Sequence, residues 1–216
     1  MRDFYPAKIC VLFVSIIVSI ISCDKKTSTI EDLISLIPQN TDIIVRVNDI
    51  NSTINKFQND EFLKNLYFPK DISLKVKNLV NDSLNNQIIA FSNYGKEEKA
   101  ITIIHKRTKD SSYLKYEKII YSGKTIFKFQ KANTEFFKTF IQNNTIVGDS
   151  RIVIENCIRN YQQQKKGIND ENFKEIFRTA DQEKGINLFL KGEPKLEGKS
   201  IFKNLPLFPK ILESWS

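Results

Sequence analysis

The sequence predicts an α+β fold, a largely antiparallel sheet with hairpins packed by short helices. Three observations lead there. Between residues 87 and 148 the chain alternates apolar and polar residues in short runs broken at Gly or Asn, the pattern of consecutive antiparallel strands. On either side, apolar residues recur at i, i+3, i+4 and i+7, the spacing of amphipathic helices. Hydrophobic residues make up 41% of the chain, with 16 Phe against 7 Gly and 6 Pro, which favours a packed core over a linker-rich or disordered chain.

In chain order, Ile30 to Ile37 reads as a brief helix stopped by Pro38. Thr41 to Val47 reads as a strand with Ile43, Val45 and Val47 on one face, and Asn48 to Thr53 is turn-rich. Two short helices are expected around Ile54–Phe57 and Phe62–Leu66, the second opened by Asp60-Glu61. Asp71 is placed to cap a helix whose Ile72, Val76, Leu79 and Val80 share a face. Strands follow at Gln87–Ser92 and Ala100–Lys106, joined around Tyr94-Gly95. Glu117–Ser122 and Thr125–Gln130 flank Gly123-Lys124, where glycine first suits a type II′ turn. Phe136–Gln142 and Thr145–Gly148 should turn at Asn143-Asn144.

Ser150 is expected to cap a helix with the stripe Ile154, Cys157, Ile158 and Tyr161. Asp170 is expected to cap the next, with Phe173, Ile176, Phe177 and Ala180, ended by Gly185. Ile186–Lys191 reads as a final strand. Asn40-Thr41 and Asn144-Thr145 each open a strand followed by helices, and Asn59-Asp60-Glu61-Phe62 and Asn169-Asp170-Glu171-Asn172-Phe173 each open the second helix. The match suggests a duplicated strand-helix-helix unit.

The first 22 residues carry a separate message. Arg2 and Lys8 precede an apolar run from Ile9 to Ile21, which ends at Ser22-Cys23 before Asp24-Lys25-Lys26. A positive start, a short apolar core and a small residue make a secretory signal. The run is shorter than the about 20 residues a membrane-spanning helix needs. Ile20-Ile21-Ser22-Cys23 resembles the lipobox of bacterial lipoproteins. That resemblance implies cleavage between Ser22 and Cys23. It also implies diacylglycerol on the Cys23 thiol, and membrane anchoring through acyl chains such as palmitate. Stable anchoring needs more than one chain. The expected divisions are a signal at 1–22, a polar tether at 23–29 and one α+β domain at 30–216. With Cys10 removed and Cys23 modified, Cys157 is the one thiol left and no internal disulfide can form.

The formal net charge is +8, and loss of Arg2, Lys8 and Asp3 with the signal leaves +7. The lysines are spread evenly, with Lys25-Lys26 and Lys165-Lys166 only as pairs. A nucleic-acid face concentrates charge in one patch, so no nucleic acid is expected as a partner. A solvated basic surface, facing anionic lipid in a tethered protein, accounts for the charge.

Catalytic patterns are incomplete. His105 is the single histidine, in a strand and on the face of Ile101 and Ile103. That is the setting of a structural histidine, and one histidine with one thiol makes a poor zinc set. Gly148-Asp149-Ser150 resembles the nucleophile block of GDSL-type esterases, but no histidine follows it to activate the serine. Tyr113, Tyr116 and Tyr121 lie near lysines; scattered strand aromatics of this kind usually pack across strands. There is no phosphate-binding Gly-rich loop. No catalytic residue, metal or cofactor is therefore expected, and the chain is not read as an enzyme.

A second resemblance covers much of residues 30–215. Leu36-Ile37-Pro38-Gln39-Asn40-Thr41-Asp42, an apolar strand and Asn48-Asp49 resemble the start of uncharacterised flavobacterial-type cell-envelope lipoproteins. Ile146-Val147-Gly148-Asp149-Ser150 and the helix through Arg159-Asn160 are similar to them too. Those proteins run on further, so the apolar end Leu205–Trp215 suggests the N-terminal part of a longer member. The expected function is that of an exported, lipid-anchored envelope protein on the periplasmic face or outer membrane, acting by binding or assembly with a protein partner. The alternatives are a hydrolase or nuclease with a fold-assembled carboxylate site, and a non-functional fragment.

Overall fold

The computed structural model describes residues 30–49, 70–80, 84, 86–95, 98–108, 115–163, 168, 170–180, 185–192, 195–196 and 199–200. The signal and tether, with Ser22 and Cys23, lie outside the described residues. So do the two short helices expected between Ile54 and Leu66, Tyr113, and the Leu205–Trp215 end.

Chain order is α1 (Ile30–Leu36), β1 (Thr41–Val47), α2 (Lys70–Leu79), β2 (Gln87–Tyr94), β3 (Glu98–Lys106), β4 (Glu117–Tyr121), β5 (Lys124–Lys131), β6 (Thr134–Ile141) and β7 (Asn144–Gly148). Then come α3 (Arg151–Gln162), α4 (Glu171–Thr179), β8 (Ile186–Leu190) and a small ribbon of β9 (Lys195–Leu196) and β10 (Lys199–Ser200). β1 to β8 form one antiparallel sheet in the order β4-β5-β6-β7-β3-β2-β1-β8. The fold is therefore α+β, as the alternation in the middle of the chain predicts.

Helices cover both faces. Ile44, Ile88, Ile104 and Ile146 pack with Ile34 of α1, Ile154, Cys157 and Ile158 of α3, and Phe173 and Phe177 of α4. On the opposite face, Ile43, Val45, Ile89, Ile101 and Ile103 pack with Ile72 and Leu79 of α2. Each such side chain, fully buried, contributes roughly 1.5–3 kcal/mol. This explains why β1 is buried along nearly all its length and not on alternate residues. Even Arg46 is only 7% exposed, its guanidinium 5.1 Å over the Phe177 ring. Burial pushes its pKa down.

The hairpin turns differ from expectation by one residue. Tyr121 pairs with Lys124, so the first loop is Ser122-Gly123, not Gly123-Lys124. Both residues have positive φ, 47° and 71°, which makes it type I′ instead of II′. Ile141 pairs with Asn144, so the last loop is Gln142-Asn143, not Asn143-Asn144. Between them, Lys131 pairs with Thr134 around Ala132-Asn133, with φ 49° and 60°. The right-handed twist of the strands selects these primed turns, and residue preference alone does not fix their register. Ala132 has a Cβ in the left-handed region, which costs roughly 1–2 kcal/mol. Ala132→Gly is expected to raise stability by about 1 kcal/mol in chemical denaturation; a loss would show that this loop does not adopt the I′ geometry.

Three helix ends also differ. Ser150 occupies the N-cap of α3 but makes no side-chain cap bond. Asp170 does cap α4, its Oδ1 accepting from the Phe173 N–H at 3.1 Å. Gly185 does not end α4, which finishes at Thr179; its carbonyl instead accepts from the Asn48 N–H at 2.9 Å. α2 begins at Lys70, so Asp71 lies inside the helix and not before it. The two helices of the first strand-helix-helix unit lie outside the described residues; in the second unit, α3 and α4 pack on the same face of the sheet.

Candidate functional site

One end of the sheet forms a polar cleft of about 610 Å³. Three chain segments meet there. Pro38 stops α1, and the turn it starts is closed by Thr41 N–H donating to the Pro38 carbonyl at 3.2 Å. This presents Pro38, Gln39 and Asn40 to the cleft. The end of β2 supplies Ser92, Asn93, Tyr94 and Gly95, the last at φ +70° where the hairpin turns. The third wall is the outward side of α3, with Ile152, Val153, Asn156, Arg159, Asn160 and Gln163.

Behind the lining residues, polar contacts fix the ends of β1, β2 and β3. The Thr41 and Ser92 hydroxyls are 2.8 Å apart and buried. Asn93 N–H donates to the Asn40 carbonyl at 2.8 Å. Lys99 Nζ reaches both oxygens of Asp42 at 2.6 Å and Asn93 Oδ1 at 2.8 Å. With side-chain exposures of 8% and 19%, the Lys99–Asp42 pair is shielded, unlike a surface pair of small net value. Tyr94 donates to the Glu98 carboxylate, and that bond, with burial, holds its pKa above the usual phenol value. On α3, Arg159 donates to Asn156 Oδ1, and Ile152 remains 59% exposed.

The sequence motifs resolve into structural roles. Asp149 Oδ1 accepts from Ile101 N–H at 2.8 Å, and its Oδ2 accepts from Lys75 Nζ at 3.1 Å. Its side chain is 6% exposed. It extends the β3–β7 ladder and ties α2 to the sheet. His105 lies four residues along β3 from Ile101, about 13 Å at strand spacing. Ser150 therefore has no histidine beside it. Tyr116 packs edge-on to Phe127 and Phe129 at 5.7 Å, and Lys138 stands 4.4 Å over its ring. Tyr121 packs against the α3-side core. Cys157 is buried, donates weakly to the Leu36 carbonyl at 3.7 Å, and burial pushes its pKa up to about 12. It is a core residue with no nucleophilic character at neutral pH.

His105 is 7% exposed and its Nδ1 lies 2.8 Å from the Lys106 carbonyl oxygen, which makes Nδ1 the donor. Burial lowers its pKa below 6.5; the carbonyl bond opposes this, and the positive charge of Lys138 adds to it. The folded chain thus prefers the neutral ring. Stability from this preference is present above pH 6.5 and is lost as pH falls through the lower folded value, because the unfolded chain binds the proton first. His105→Gln should flatten the fall in melting temperature on acidification below that pH; an unchanged slope would refute the assignment.

Among the described residues no group of three His, Cys, Asp or Glu is placed to hold a metal ion, and no helix is long and apolar enough to cross a membrane. No family model, curated protein or solved structure matches the chain. The cleft residues were not legible as a site, since they come from three segments spread over more than 100 positions. One signal was available on α3. Ile152, Asn156, Asn160 and Gln163 follow one another at three- and four-residue steps, a second stripe opposite the core stripe of Ile154, Cys157, Ile158 and Tyr161.

Proposed function

We propose that this chain is a lipid-anchored protein of the bacterial cell envelope that works by binding. The observation that carries the reading is Cys23, set after Ser22 at the end of the apolar run. Only a thiol among the residues there can form the thioether a lipid anchor requires. The binding part of the reading is supported by the amide-lined cleft and by the structural use of Asp149. The one carboxylate in a nucleophile-like motif already holds Ile101 and Lys75. Among the described residues the cleft walls carry no carboxylate, and their amides suit hydrogen bonding to a ligand.

The test is metabolic labelling of cells with a fatty-acid analogue. The wild-type chain is expected to carry label and to sediment with membranes. Cys23→Ala should lose the label and accumulate with the uncleaved signal. Label retained on Cys23→Ala would sink the anchor. Capture of a reproducible envelope partner by the anchored chain would support the binding part, and its absence would count against a protein partner.

A further inference from the structure

We propose that the polar cleft beside α3 takes a neutral oligosaccharide, a reading that rests on the binding function above and names its ligand class. Six of the thirteen described residues that line it are Asn or Gln. A carboxamide carries an acceptor oxygen and two donor hydrogens on one planar fork. A sugar hydroxyl both donates and accepts, so neighbouring hydroxyls on a ring are matched by such forks.

Charge points the same way. The chain holds 33 Lys and Arg, yet among the described residues Arg159 is the one charged side chain lining the cleft. An anionic polymer would require several cations together. A peptide would be expected to add to a free sheet edge, an apolar groove or a charge cluster. The edges of this sheet are β4 and β8, while the cleft is formed at the end of β2. Saccharides also present C–H faces that need an apolar or aromatic platform. Ile152, 59% exposed amid the amides, and Tyr94 supply one.

Size and rigidity fit. The cleft volume of about 610 Å³ lies within the roughly 300–1,000 Å³ typical of small-ligand sites. Asn93 is held by Asp42 and Lys99, and Asn156 by Arg159. Side chains fixed before binding lose less entropy when the ligand arrives.

The experiment uses the full chain in a detergent without a sugar headgroup, titrated calorimetrically with neutral tetrasaccharides of glucose, mannose, galactose and N-acetylglucosamine. At least one is expected to bind with Kd of about 1 μM to 1 mM. The double variant Asn156→Ala, Asn160→Ala should weaken it about tenfold or more with an unchanged melting curve, since both residues lie on the outward side of α3. Raising the salt several-fold should leave the affinity nearly constant, because neutral ligands release no counterions. Absence of binding by all four sugars, or binding indifferent to the double variant, would overturn the proposal. Binding only to a sulfated polysaccharide, lost in salt, would overturn it as well. If the anchored chain captures a protein partner equally well with the double variant while no sugar binds, the binding function stands and the sugar assignment fails.

Discussion

Phe173→Ala is expected to lower the unfolding free energy by about 3–5 kcal/mol, the range for truncating a buried aromatic ring. Phe173 is fully buried on α4. Its ring centroid lies 5.5 Å from that of Phe177 and 5.8 Å from that of Phe189, so a hole there also strips contacts from two neighbours. Because Phe189 belongs to β8 at the sheet edge, the same truncation loosens the strand that closes that edge. Chemical denaturation should show an earlier midpoint. Leu74→Ala, at a residue 53% exposed on α2, serves as the comparison and should change stability by about 0.5 kcal/mol or less. Equal effects from the two would show that α4 is not docked by this ring.

Gly148→Ala is expected to cost as much, about 3–5 kcal/mol, because its backbone must move. A Cβ there would stand 2.6 Å from the Ile101 carbonyl oxygen. That oxygen is main chain and cannot rotate away, unlike a flexible side chain. Gly148 pairs with Thr102 on one side and Phe137 on the other, so a shift disturbs β3 and β6 together. It also displaces Asp149 from the Ile101 N–H and from Lys75. Thermal melting should show a large drop. Gly123→Ala is the informative contrast, since nothing lies within 4 Å of its added Cβ and only its φ of +71° resists the change, at roughly 1–2 kcal/mol. Were Gly148→Ala the milder of the two, the close approach of β7 to β3 would be wrong.

These two positions show what the sequence could and could not reveal. The Phe173, Ile176, Phe177 stripe repeats at helical spacing, and α4 with its Asp170 cap follows from it. Alternation likewise places β1, β2 and β3 nearly to the residue. Along the chain, Gly148-Asp149-Ser150 shows only an incomplete catalytic pattern, whereas the reason for the glycine is a contact with residue 101. That contact cannot be seen along the chain. The turns at Ser122-Gly123 and Gln142-Asn143 lie one residue from where composition puts them because Ser122 and Gln142 sit at positive φ, which their side chains do not favour. Strand pairing imposes that conformation. Burial of β1 on both sides was hidden for a similar reason: alternation reports a strand's two faces, not whether helices cover them. The cleft is the extreme case, since its amides have no common local pattern until α1, β2 and α3 are brought together.

The pairing of β8 with β1 has a consequence in time. Asn48 and Asn187, which bond at the foot of these strands, are 139 positions apart. At roughly 5–20 residues per second, synthesis leaves β1 without its outer neighbour for about 7–30 seconds. β2 and β3 follow β1 soon, and β4 to β7 join through two-residue loops, so most of the sheet can assemble while that edge stays open. An uncovered edge rich in Ile and Val is a template for pairing between molecules. For β1 that exposure ends when Phe189 and Leu190 pair with Ile44 and Ile43.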